Sequence, residues 1–179
     1  MSVRLIVITG TSAVGKSTFA TKLAARLGGP TPVFHIDDYI PRPPPPGYAS
    51  DWAHRRVGYL PEIGGKVRDA LRDARVAIFE GVLTSDLEVP TLARFSGLSG
   101  EEVLVVVINR PLSDCWDRKG REDSFRKQYP FIQTAADFAR FFYNGYQPVG
   151  VSADLTLTGA EVDGDLGAER VARRLSVRG

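Results

Sequence analysis

The stretch GTSAVGKS, residues 10–17, places Gly10 and Gly15 around a short loop and follows the second glycine with Lys16 and Ser17. This is the spacing G-x-x-x-x-G-K-[ST], and its chemistry is the gripping of polyphosphate. Glycines let the backbone adopt conformations closed to other residues, so that successive N–H groups turn inward as a nest for phosphate oxygens. A helix starting near Lys16 would add the positive end of its dipole at the same place. Lys16 is expected to reach the β- and γ-phosphates, and the Ser17 hydroxyl to be a ligand of Mg²⁺. Gly10, Thr11, Ser12, Ala13, Val14, Gly15, Lys16, Ser17 and Thr18 are therefore the expected nucleotide-binding residues. No guanine-reading N-K-x-D stretch occurs, which makes ATP the expected donor.

Carboxylates follow at two further places. Asp37 and Asp38 close the run FHIDD, and Glu80 closes AIFE directly before Gly81. If both runs are strands of a parallel sheet, their carboxyl ends open onto the same crevice as the phosphate-binding loop. An aspartate there can accept the proton of an acceptor hydroxyl, position a metal, or cap the next turn. Glu80 is expected to hold a Mg²⁺-bound water.

The elements that must position these groups are legible as an alternation. Short apolar runs rich in β-branched residues lie at 3–9, 31–36, 75–80, 102–108 and 153–158. Between and after them, helical patterns occupy 16–28, 61–75, 134–146 and 166–177. Continuous apolar strands separated by helices imply a parallel sheet covered on both faces. The expected fold is α/β, a three-layer P-loop NTPase with a central parallel sheet of about five strands, formed by residues 1–179 as one domain. Two segments break the rhythm. Residues 41–61 are too rich in proline for helix or central strand and read as a shaped insertion, or as a surface excursion or docking ligand. Residues 116–130 carry charges of both signs after the fourth strand.

Bulk properties narrow the classes of partner. Basic and acidic residues nearly balance at a net charge of +2, so no broad cationic face advertises nucleic acid. Cys115 stands alone and reads as a small buried hydrophobe. The first apolar run is too short for a signal segment or a membrane span, so the expectation is a cytoplasmic protein with no membrane partner.

The order of these motifs resembles the uridine kinase and nicotinamide riboside kinase group of P-loop kinases. That group shows a P-loop, then a DDFY-like or QDxFY-like motif, then an apolar run ending in EG and a bulky residue; this chain has GTSAVGKS, DDYI and IFEGVL in the same order. YNGYQPVGVSADLTL is similar to the group's segment leading into the last strand, so the resemblance runs from about residue 4 to about residue 158. It implies a nucleoside-monophosphate-kinase-like fold, ATP and Mg²⁺ as cofactors, and a nucleoside as the small-molecule acceptor. It also implies that Asp37 is the base, that Glu80 is associated with the metal with Asp38 beside it, and that DRKGRED is the lid. The lid pattern falls on Arg118, Arg121 and Arg126. The chain departs from the group in Ile40, where an aromatic is common, in the run Pro43 to Pro46, and in Gly120, which interrupts the lid pattern.

Tyr48 and Trp52 in the insertion are candidates to stack on a flat acceptor, and His54 either meets the acceptor or is a loop histidine. His35 reads as a strand side chain. Phe138, Phe141, Phe142 and Tyr143 have helical spacing and read as core. Two alternatives to a nucleoside kinase stay open: a kinase of another hydroxylated metabolite, such as a sugar or vitamin precursor, and an NTP-hydrolysing switch that binds a protein partner.

Overall fold

The computed structural model describes residues 2–39, 58–83, 85–119, 123–142 and 151–178. Five strands form one sheet: β1 (Leu5–Thr9), β2 (Val33–His35), β3 (Ala77–Glu80), β4 (Val103–Asn109) and β5 (Leu155–Thr158). All neighbours pair in parallel, in the order β2-β3-β1-β4-β5. Side chains of a strand alternate between the two faces of the sheet, and the core divides accordingly. Ile6, Ile8, Ile78, Leu104 and Val106 enter one cluster. Leu5, Val7, Phe79, Val103 and Val105 enter the other. This two-sided burial is why the central strands β1, β3 and β4 read as nearly unbroken apolar runs.

Helices cover both faces. Phe19, Ala20 and Leu23 of α1 (Lys16–Leu27) pack into the first cluster. Leu60, Ile63 and Val67 of α2 (Leu60–Ala70) and Leu92 and Ala93 of α3 (Glu88–Phe95) pack into the second. Then come α4 (Leu112–Lys119), α5 (Asp123–Gln128), α6 (Ala135–Phe142), α7 (Gly159–Asp163) and α8 (Leu166–Arg178). Cys115 of α4 and Phe138 of α6 are fully buried in the first cluster, as the sequence reading expects. Phe141 and Phe142 fall on α6, whereas Tyr143 and the proline run lie outside the described residues.

The structure differs from the sequence reading in several local respects. The helix expected over 61–75 stops at Ala70 and gives way to a turn. An additional helix, α3, begins at Glu88; Pro90 fits because it falls in the first turn, where the proline's missing N–H has no intrahelical partner to lose. Finally, β2 ends at His35, and Asp37 and Asp38 lie on a single 3-10 turn, Ile36–Tyr39, rather than at the strand's end. Adjacent residues on such a turn are about 120° apart, not the opposed directions of a strand.

The strand order fixes where a ligand can enter. From β1 the chain moves to one side for β2 and β3 and to the other for β4 and β5. The carboxyl end of β1, flanked by β3 and β4, is thus the place where the connections diverge and a crevice opens.

Candidate active site

The loop after β1 fills that crevice. Gly10 has φ 148°, and a Cβ there would lie 2.5 Å from the Ile108 carbonyl oxygen, so the strand exit requires glycine. Gly15 precedes α1 at φ 99°, and Ala13 between them is also left-handed at φ 66°. Lys16 is 9% exposed, and its ammonium group donates to the Thr11 carbonyl at 2.8 Å, folding across the loop it belongs to. No acidic side chain stands in the first turn of α1. Ser17 and Thr18 are exposed at the helix start.

Glu80 is held opposite this helix start by sheet register. On β3 it lies across from Ile8 of β1 and from His35 of β2. The residue is 4% exposed. Ser17 Oγ donates to Glu80 Oε1 at 2.9 Å, and His35 Nδ1 meets the same oxygen at 2.7 Å. A carboxylate only accepts, so the His35 tautomer here carries its proton on Nδ1. The other oxygen, Oε2, accepts no hydrogen bond from any described residue. His35 is therefore more than a strand side chain: it joins the P-loop serine and Glu80 in one cluster. Its signal in the sequence was faint, a lone polar residue at the end of a run, and only the β2–β3 pairing gives it a partner.

The 3-10 turn carrying Asp37 and Asp38 starts directly after His35, and both acids are exposed. Tyr39 anchors its far end against α2, with the Lys66 ammonium 4.5 Å from the ring centroid. Partial burial raises the Tyr39 hydroxyl above its ordinary pKa. Lys66 in turn pairs with Glu62 at 3.1 Å, and the Glu62 hydrogen bond raises the lysine.

Two arginines border the loop from the β4 side. Arg118 on α4 was expected, whereas Arg110, just past β4, was not. Built on Gly15, a Cβ would lie 3.9 Å from Arg118 Nη2 and 4.0 Å from Arg110 Nη2. Arg110 is buried; its Nε donates to Val14 O at 3.3 Å and its Nη2 to Gly159 O at 3.0 Å. Asp163 at the end of α7 accepts from both, 2.7 Å from Arg110 Nη2 and 2.9 Å from Arg118 Nη1. The Arg110 hydrogen bond, then the Arg118 one, holds the Asp163 carboxyl below the usual carboxylate range. A basic residue directly after an apolar strand was the available signal for Arg110. The structure thus gathers Lys16, Ser17, Glu80 and Arg118 around one loop. Arg126 is exposed on α5, and Arg121, Tyr48, Trp52 and His54 lie outside the described residues.

The donor set suits a hard divalent cation that keeps most of its shell as water and phosphate oxygen. Mg²⁺ is typically bound through one or two protein oxygens plus substrate phosphates. Ser17 and Glu80 supply such oxygens, and the Oε2 of the buried Glu80, which has no donor among the described residues, is a group a cation would satisfy. Among the described residues no cluster of three or more His, Cys, Asp or Glu side chains could hold a metal unaided. No described helix is long and apolar enough to cross a membrane.

No protein-family model matches the chain, and no curated protein does. Solved structures do match, end to end. An APS kinase from Mycobacterium tuberculosis, solved with AMPPNP and APS, superposes at TM-score 0.65 with 19% identity over 98% of each chain. A gluconokinase from Sinorhizobium meliloti 1021 gives TM-score 0.61 at 16% identity, covering 98% of this chain and 97% of that one. A shikimate kinase from Acinetobacter baumannii, in complex with shikimate, gives TM-score 0.54 at 18% identity over 98% and 94%. The class is therefore defined by fold: a three-layer α/β P-loop NTPase, of the form shared by these small-molecule kinases.

Proposed function

We propose that the protein is an ATP- and Mg²⁺-dependent kinase that moves the γ-phosphoryl group to a hydroxyl of a small metabolite, most specifically a nucleoside. The observation that supports this best is the convergence at the end of β1: a buried Lys16 folded across a positive-φ loop, with Ser17 bonded to the buried Glu80 beside it. In this reading the loop N–H groups and Lys16 hold the β- and γ-phosphates. Ser17 and Glu80, with Asp38 from the turn after His35, would hold Mg²⁺, which would supply neutralisation of phosphate charge. Asp37, exposed on the turn beside the crevice, accepts the proton of the acceptor hydroxyl. Arg118 and Arg121 act from the lid, where a guanidinium stabilises charge as it shifts to the leaving group. Tyr48, Trp52, His54 and Arg126 are the proposed acceptor contacts.

The nucleoside assignment rests on the order of DDYI and IFEGVL after the P-loop. A second acceptor class has its own support, because the solved structures named above are kinases of gluconate, APS and shikimate rather than of nucleosides. One assay separates these readings: ADP release with Mg²⁺-ATP against panels of nucleosides, sugars and vitamin precursors. Stimulation by a nucleoside is the expected result; stimulation by another panel moves the acceptor, and stimulation only by a protein partner overturns the kinase reading. In the same assay Asp37→Asn should keep nucleotide binding and lose transfer by the roughly 10² to 10⁴ of a missing general base, with Asp38→Asn losing less.

A further inference from the structure

We infer that His35 is a positioning residue for the divalent cation: it fixes the Glu80 carboxylate in the orientation that completes the cation site with Ser17. The inference deepens the proposed function and rests on the P-loop binding a Mg²⁺-nucleotide complex.

Glu80 has a flexible side chain, and it is buried where it would sample rotamers unless held. Two donors hold it, and both fall on Oε1: Ser17 Oγ at 2.9 Å and His35 Nδ1 at 2.7 Å. Their joint effect is to hold the carboxylate by one oxygen and leave Oε2 without a donor among the described residues. Ser17 is not a spectator in this arrangement. A hydroxyl has one proton and two lone pairs, so a serine that gives its proton to Glu80 keeps its lone pairs for a cation. His35 differs in kind, because its proton can serve only to orient the carboxylate. The contact depends on an exact meeting of strand ends. His35 and Glu80 are register partners, and a Cβ on Gly81 would lie 2.9 Å from Ile36 Cγ2, so the glycine after Glu80 lets the turn after His35 close onto β3. Groups that orient a metal's ligands by hydrogen bonding typically cost 10- to 100-fold in metal affinity or activity when removed.

The test is calorimetric binding of ATP to the full chain with Mg²⁺ and, separately, with EDTA. His35→Leu removes the donor and fills similar space, while His35→Asn keeps an N–H close to where Nδ1 stands. The expected result is that both variants bind ATP like the wild type in EDTA, that His35→Leu binds Mg²⁺-ATP 10- to 100-fold more weakly, and that His35→Asn recovers most of that loss. Wild-type affinity for Mg²⁺-ATP in His35→Leu, or equal weakening of both variants with and without Mg²⁺, would overturn the assignment alone. A wild type that binds ATP in neither condition would overturn the proposed function beneath it. Thermal unfolding of each variant shows whether the fold is kept, and where His35→Leu misfolds the decision passes to His35→Ala, whose Mg²⁺-specific weakening of tenfold or more supports the role and whose wild-type affinity for Mg²⁺-ATP refutes it.

Discussion

Two helices begin at the carboxyl ends of strands in the same parallel sheet, and their first turns are chemically opposite. Helix α7 follows β5 with a reciprocal cap: Glu161 N donates to Thr158 Oγ1 at 3.4 Å, and Thr158 N donates to Glu161 Oε2 at 2.7 Å. Its positive end is satisfied from within the chain, with Arg170 paired to the same glutamate. Helix α1 follows β1 with a left-handed glycine in the capping position and Lys16 at its first residue, and no acid stands in its first turn. A helix start capped by its own side chains is a structural joint, whereas one built from glycine and lysine leaves an anion as the fitting partner. The sheet offers both positions; the side chains at the cap decide which of them is left open to a ligand. The two regions also touch, since Asp163 at the end of α7 holds Arg110 and Arg118 beside Gly15.

The comparison breaks most severely at Lys16. Lys16→Ala removes the cation that follows the phosphates through transfer, and turnover should fall on the order of a hundredfold or more. Far-ultraviolet circular dichroism should stay unchanged, because the ammonium serves the loop rather than the core. Unaltered turnover would mean that the bare helix start is not the site.

A smaller effect is expected at the contact between the two regions. Arg118→Ala should lower kcat about tenfold or more while changing ATP affinity less, because charge on the transferred group develops in the transition state. Equal losses in steady-state kcat and in ATP binding measured without acceptor would make Arg118 a ground-state ligand instead.

At α7 the effect should be small and thermodynamic. The Thr158 backbone N–H, then Arg170, holds the Glu161 carboxyl below its ordinary value. A depressed carboxyl contributes stability that is present above the unfolded-state range near 4.3 and is lost as pH falls through the lower folded value. Glu161→Gln, which keeps the cap but loses the charge, should therefore cost about 0.3–1 kcal/mol at pH 7, seen as a Tm lower by no more than about 2–4 °C. That difference should close as pH drops below about 4, with turnover hardly altered. A large loss of activity would mean that the capped helix start takes part in the chemistry after all.

How much of this was legible varied with the range of the interactions involved. The three central strands were readable because burial on both faces leaves almost only apolar side chains along them, as in residues 103–108. Helix α3 was not, since Pro90 and a turn-like SGLSG after it mask a short apolar stripe. The Asp37–Asp38 pair was found as a pair, but its 3-10 geometry was missed, because a strand of three residues gives too little pattern to mark its end. Arg110 carries no pattern of its own in the sequence; its burial comes from α7, some fifty residues later in the chain.

The sequence alone determined the loop after β1, because its conformation is set by residues within a few positions of each other: Gly10 and Gly15 permit positive φ, and Lys16 opens the helix. It determined equally the alternation of strand and helix, which rests on local periodicity. Tertiary structure alone decided what meets that loop. The order β2-β3-β1-β4-β5 sets Glu80 beside β1 and His35 beside Glu80, and it brings Arg110, paired to Asp163, against Gly15. Those contacts join residues 45 to 96 positions apart, and no local pattern encodes them. They follow from which apolar faces can be buried together, a choice made by the whole chain at once.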